Sequence, residues 1–99
     1  MYMEYENEKL VIKLGKYCNN GNIAIQLYTE SGEPFATLTV NICDMPTDEV
    51  CLDVNNFPDG IELMKRYELG VFTGNVVHSG FCSYPVFYLN MENVKKYVK

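Results

Sequence analysis

The segment Phe35–Ile42, FATLTVNI, indicates the fold class because apolar and polar residues alternate along it. In an extended chain such alternation places Ala36, Leu38, Val40 and Ile42 on one face and Thr37, Thr39 and Asn41 on the other. This pattern is typical of a half-buried strand in an antiparallel sheet. After the loop CDMPTD, the segment EVCLDV predicts a second strand, with Val50, Leu52 and Val54 facing inward and Asp53 facing outward.

The flanking segments continue the pattern on both sides. LVIKL (residues 10–14) and NIAIQLYT (residues 22–29) also alternate, and the Asn-Gly pair between them predicts a β-hairpin. Residues 70–90, GVFTGNVVHSGFCSYPVFYLN, predict two further strands, in which Pro85 indicates an edge or a bulge.

Two segments have helical character. The first runs from about Asp59, a candidate N-cap, to Leu69, and Gly70 is a candidate for closing it. A short C-terminal helix would begin after Asn90, which can cap it. The sequence therefore predicts one α+β domain over residues 1–99, with a single twisted antiparallel sheet of about five to six strands covered by one helix, and a short C-terminal helix.

Charge is distributed unevenly along a chain whose formal net charge is −5. Residues 17–64 contain eight carboxylates and no Lys, Arg or His, whereas residues 65–99 have five basic and two acidic side chains. We call the carboxylate-rich segment Asp44–Asp59 the acidic tract. Because contacts with phosphate require cations, direct binding of nucleic acid through this tract is disfavoured.

The sequence also bears on the cellular compartment. No run approaches the roughly 18 apolar residues of a membrane span, and the first ten residues, MYMEYENEKL, are acidic where a signal peptide would be basic and then apolar. We therefore expect a cytoplasmic protein without membrane contact. The four cysteines are then expected to be reduced, and the apolar segments around Cys51 and Cys82 predict that both serve as small buried hydrophobic residues.

Several short motifs occur in an order that resembles a known family: FATLTVN, the Asn-Asn pair followed by PDG, YELG, and SGF with YP two residues later. The similarity extends from about Asn22 to Leu89. The chain resembles small proteins of unknown function carried by bacterial conjugative elements, plasmids and phages. This resemblance implies a mobile-element setting, in which genes of this size often encode inhibitors of host defence. It supplies no catalytic residues, and Cys43 and Cys51 depart from the family pattern.

Two chemical alternatives involve the thiols. Cys43, Cys51, His78 and Cys82 would provide a ligand set suitable for zinc if the fold brought them together, although no Cys-x-x-Cys pair is present. Cys82 and His78 could also act as a nucleophile and its base. In an extended strand, however, residues four apart are separated by about 13 Å.

The acidic tract suggests a binding function instead. Its carboxylates do not follow the spacing of a calcium-binding loop, and most are expected in turns or on polar strand positions. We expect a non-enzymatic protein-binding module that needs no cofactor and acts as an acidic inhibitor of a bacterial defence nuclease, of the anti-CRISPR type, by occupying its basic nucleic-acid-binding surface. The candidate contact residues are Asp44, Asp48, Glu49, Asp53, Asp59, Tyr28 and Tyr84. The competing interpretation is a small zinc-stabilised or thiol-active protein that uses the four residues named above, and a third is an accessory protein whose acidic face is merely solvated.

Overall fold

The chain forms two four-stranded antiparallel sheets and two short helices in a computed structural model that describes residues 1–99. The elements are β1 (Met3–Tyr5), β2 (Glu8–Lys16), β3 (Ile23–Thr29), β4 (Pro34–Thr37), β5 (Thr39–Val40), β6 (Glu49–Leu52), α1 (Gly60–Arg66), β7 (Gly70–Ser79), β8 (Cys82–Leu89) and α2 (Met91–Lys96). The strand order is β1-β2-β3-β4 in the first sheet and β5-β6-β8-β7 in the second. The antiparallel, mainly β character agrees with the prediction, but the single sheet covered by one helix was wrong.

The physical reason for two sheets lies at Leu38, in the middle of the segment predicted as one strand. Its N–H donates to the carbonyl of Ile25 in the first sheet at 2.9 Å, and its own carbonyl accepts from Asp53 N at 3.0 Å beside the second. The chain therefore leaves one sheet and enters the other at this residue. Thr39, expected on a polar outer face, is only 1% exposed, because it lies where the two sheets meet.

The predicted hairpin forms as expected, and the two strands predicted in residues 70–90 pair as a second hairpin. Strands β2 and β3 pair in continuous register, and Gly21 takes a positive φ of 74° in the loop that joins them. Strands β7 and β8 form the second hairpin, where Pro85 lies opposite Val76 next to an irregularity between Phe72 and Val76. The bulge accommodates a proline in β8, a strand that is central and not at the edge of its sheet.

The main core draws residues from both sheets and both helices. Its largest fully buried side chains include Phe87, Met3, Leu10, Ile12, Ile25, Leu27, Leu38, Leu52, Leu63, Met64, Leu69 and Leu89. A smaller cluster lies on the other face of the second sheet, where Cys51, Tyr84 and Val86 are covered by neighbours that include Ile42 and Met45. The loop between β5 and β6 thus closes part of the outer face of the second sheet.

The capping of α2 agrees with the prediction, whereas α1 ends in a way that was not predicted. Asn90 caps α2 as predicted, because its side chain accepts from Asn93 N at 3.1 Å. Helix α1 ends at Arg66, earlier than expected, and Glu68 takes the left-handed position with φ of 53°. The Leu69 N–H then bonds to the Met64 carbonyl, which is the pattern of a Schellman motif. Gly70, expected to close the helix, begins β7 instead.

Candidate protein-binding surface

The acidic tract does not form one continuous surface. Asp44 is exposed, and Asp48 and Glu49 are half-buried at the start of β6. Asp53 follows the other end of the same strand, so Asp48 and Asp53 are separated by roughly 16 Å of extended chain. Asp53 and Asp59 line a separate concavity that also contains Tyr5. The carboxylates therefore fall into two groups, which a single small contact would not cover.

Asp53 was predicted to face solvent, and that prediction was wrong. Asp53 is only 9% exposed, and its carboxylate accepts hydrogen bonds from the backbone N–H and the side-chain amide of Asn56. Strand β6 ends at Leu52, one residue before Asp53, so the alternation on which the prediction relied does not reach Asp53. Asp53 and Asn56 shape the turn toward α1, a role expected for these residue types.

Asp59 is also engaged within the protein. It occupies the N-cap position of α1, as predicted, but its side chain makes no capping hydrogen bond. Instead, its carboxylate accepts from the Tyr5 hydroxyl of β1. Asp59 therefore connects α1 to the first sheet while remaining exposed at the surface.

The two tyrosines predicted as anchors are less accessible than expected. Tyr84 is 9% exposed and belongs to the smaller cluster, where the pKa of its hydroxyl is raised by a side-chain hydrogen bond with Cys82 and by burial. Tyr28 is half-buried, and the Lys13 ammonium lies 5.5 Å from its ring centroid. Tyr88, two alternations beyond Tyr84 on the same strand, is 50% exposed and is the accessible tyrosine on this face.

Tyr88 lies in a groove of about 790 Å³ between the β7–β8 hairpin and the segment leading into α2. Register places Val71 directly beside Tyr88 on one side and Glu49 on the other, so the three side chains share a face. Val71 is 65% exposed and Phe72 is 51% exposed. Charged groups also line the groove: Asp48, Glu68 and Lys65. The alternation in the sequence predicted which face of β8 carries Tyr88. Nothing in the local sequence showed that this end of the face would remain exposed to solvent.

Strand β7 has a free edge, because it pairs only with β8 in its sheet. Its ten residues contain no Asp, Glu, Lys or Arg, although edge strands commonly carry charges that discourage further pairing. At the tip of the hairpin the Phe81 side chain is fully exposed. The β7–β8 hairpin thus carries five of the eight large hydrophobic residues that are exposed.

The structure does not assemble the predicted thiol sites. All four cysteines are free, and no group of three or more His, Cys, Asp or Glu side chains is arranged to hold a metal ion. His78 pairs with Ser83 across the hairpin, and its Nδ1 lies 2.8 Å from the Ser83 hydroxyl. Because neighbouring strand residues point to opposite faces, Cys82 faces away from His78. Cys51 is buried as predicted, and Cys82 is half-buried.

Few of the surface carboxylates have a cationic partner. The structure contains two ion pairs, Lys9 with Glu30 at 3.9 Å and Arg66 with Glu62 at 2.6 Å. Of thirteen acidic side chains, eleven therefore lie farther than 4 Å from any basic group. Most of the negative charge is therefore not neutralised within the protein and is available to act on a partner.

Comparison with known protein families finds one match. The sequence matches the family described as "Domain of unknown function (DUF4313)" over residues 11–99, a longer span than the motifs indicated. The chain belongs to this family. No curated protein and no solved structure matches it significantly. In the structure, no helix has both the length and the apolar character needed to cross a membrane.

Proposed function

We propose that this protein is a non-enzymatic binding module whose partner is a protein with a basic surface. The observation that carries the proposal is the groove at Tyr88. The exposed residues Val71 and Phe72 and the acidic residues Asp48 and Glu68 all line it. Accessible aromatic residues supply contact energy in protein interfaces, and carboxylates at the margin select partners with complementary charge.

The electrostatics favour a partner that normally binds nucleic acid. A net charge of −5 and carboxylates without cationic partners attract a basic surface and accelerate association with it. A bacterial defence nuclease of the kind inhibited by anti-CRISPR proteins fits this chemistry and the mobile-element setting that the family resemblance implies. We place this encounter in the cytoplasm, where such nucleases act.

The first experiment uses parallel baits to test whether the groove makes the contact. Immobilised wild-type protein is compared with Tyr88→Ala and with Phe81→Ala, which removes a more exposed ring outside the groove. A partner retained by wild type and Phe81→Ala, but lost with Tyr88→Ala, supports the proposal. For a central interface tyrosine, the expected loss is about 2 kcal/mol, or roughly 30-fold in Kd. Equal retention by all three baits contradicts it.

A second pair of variants tests whether charge acts locally. Asp48→Asn with Glu68→Gln removes two charges from the groove, whereas Glu8→Gln with Glu33→Gln removes two elsewhere. Both double variants have the same net charge. We expect the groove variant to slow association more strongly and to reduce its salt dependence, because nearby charges dominate when screening acts over about 8 Å. Identical association rates would identify the acidic face as merely solvated.

A further inference from the structure

The sulfur atom of Met45 lies close to two cysteine thiols where the loop between β5 and β6 crosses the outer face of the second sheet. The Cys43 Sγ lies 3.9 Å from the Met45 Sδ, and the Cys51 Sγ approaches the same Sδ to 3.8 Å. Cys51 is buried within β6, Met45 is half-buried, and Cys43 is exposed. We propose that Cys43, Met45 and Cys51 form a binding site for Cu(I).

The spacing of the sulfur atoms suits a small metal ion. Bonds between metal and thiolate are about 2.3 Å long, so three sulfurs in a trigonal plane stand about 4.0 Å apart. The two distances to Met45 Sδ are within 0.2 Å of this value. These two spacings suit a metal ion shared through Met45, and the exposed thiol of Cys43 gives the ion access from solvent.

The donor set selects the metal. Thiolate and thioether sulfur are soft ligands, which favour Cu(I) over cations that prefer oxygen. Structural zinc requires four ligands from Cys, His or carboxylate groups, and the structure provides no such group. Two thiols and one thioether instead match the low coordination number of a monovalent soft ion. On binding, both thiols lose their protons to solvent, since the thiolate is the ligand.

The loop is held in place by the side chain of Asn22, at the start of β3. The Asn22 Nδ2 donates to the Cys43 carbonyl at 2.7 Å, and its Oδ1 accepts from the Met45 backbone N–H at 3.1 Å. The same Nδ2 lies 2.9 Å from the Asn41 Oδ1. One amide thus fixes the backbone of two of the three sulfur-bearing residues. Such outer contacts commonly orient the ligands of metal sites, which makes Asn22 a positioning residue.

The test is a Cu(I) titration of the full chain under anaerobic, reducing conditions, in competition with a coloured Cu(I) chelator. We expect one Cu(I) per chain. Cys43→Ser, Cys51→Ser and Met45→Leu should each weaken binding by at least about tenfold, and Asn22→Ala by about tenfold to 100-fold. Cys18→Ser removes an exposed thiol outside the cluster and should leave the affinity unchanged. An equal loss with Cys18→Ser, or no loss with Met45→Leu, would overturn the site.

A measurement on the wild-type protein avoids dependence on the folding of the variants. X-ray absorption at the copper edge of the one-to-one complex should show coordination by three sulfur atoms. Coordination by nitrogen or oxygen, or by two sulfurs alone, would refute the proposed ligand set. Thermal melting followed by circular dichroism accompanies each variant, and Met45→Leu, which nearly conserves volume, is the variant expected to fold best.

Discussion

Thr39→Val should destabilise the protein although it replaces a side chain with one of nearly the same shape. Thr39 is 1% exposed at the point where the chain passes between the sheets, and its Oγ1 accepts from Ile25 N at 3.1 Å. In a strand, the N–H and C=O of one residue point to the same side. Because the Ile25 carbonyl already accepts from Leu38 N, the Ile25 N–H is directed toward this hydroxyl and away from β2.

The magnitude follows from the unpaired donor. An unsatisfied buried backbone N–H costs about 1–3 kcal/mol. The Tyr17 hydroxyl, 3.1 Å from the Thr39 Oγ1, loses a partner too but keeps the Thr39 carbonyl at 3.3 Å. We expect about 2 kcal/mol of destabilisation, which corresponds to a decrease in Tm of roughly 8–16 °C for a domain of this size.

Thermal and urea unfolding followed by circular dichroism measure this change. The matched control is Thr37→Val, the same substitution at the exposed position two residues earlier, which should change stability by less than about 0.5 kcal/mol. Thr39→Ser, which keeps the hydroxyl, should be less destabilising than Thr39→Val. If Thr39→Val and Thr37→Val melt at the same temperature, the hydroxyl does not stabilise the crossing and the reasoning fails.

Three other predictions concern local features. Glu68→Gly should stabilise the protein by up to about 1 kcal/mol in urea unfolding, because glycine adopts the left-handed position without strain; a loss would contradict the Schellman assignment. Gly70→Ala should destabilise it by at least about 1 kcal/mol, since the new Cβ would lie 2.5 Å from the Tyr88 carbonyl oxygen, whereas Gly15→Ala meets no atom within 4 Å and should be nearly neutral. Burial, and then the charge of Cys43, raises the pKa of Cys51 above its ordinary 9.0. Because the folded state keeps this proton to a higher pH than the unfolded state does, the unfolding free energy should fall as pH rises above about 9. The variant Cys51→Ala should show a smaller fall.

Periodicity predicted most of the strands because it depends only on neighbouring residues. Ile25 and Leu27 are buried on the face that their alternation indicated, and the hairpin loop at Gly21 follows from its intrinsic conformational freedom. The division into two sheets depends instead on which distant backbone groups accept from Leu38 and Thr39. No pattern within the segment distinguishes a straight strand from one that changes partner.

The exposure of residues in the candidate site also depends on distant parts of the chain. Tyr84 and Tyr88 are equivalent in the sequence, since both alternate onto the outer face of β8. They differ because other residues, including Met45 from the preceding loop, pack against the cluster that contains Tyr84, while Tyr88 remains half exposed. Which tyrosine is available to a partner was therefore not readable from β8 itself.

The β5–β6 loop therefore has two consequences for the same face of the second sheet. By packing Met45 against Cys51, it buries one part of the face and brings the sulfur atoms together. By ending at Asp48, whose carbonyl accepts from Leu89 N at 2.7 Å, it leaves the part around Tyr88 open and places an acidic residue in the lining of the groove. Burial and exposure on this face are thus set by the course of one loop, and Asp48 at the end of that loop lines the groove that contains Tyr88.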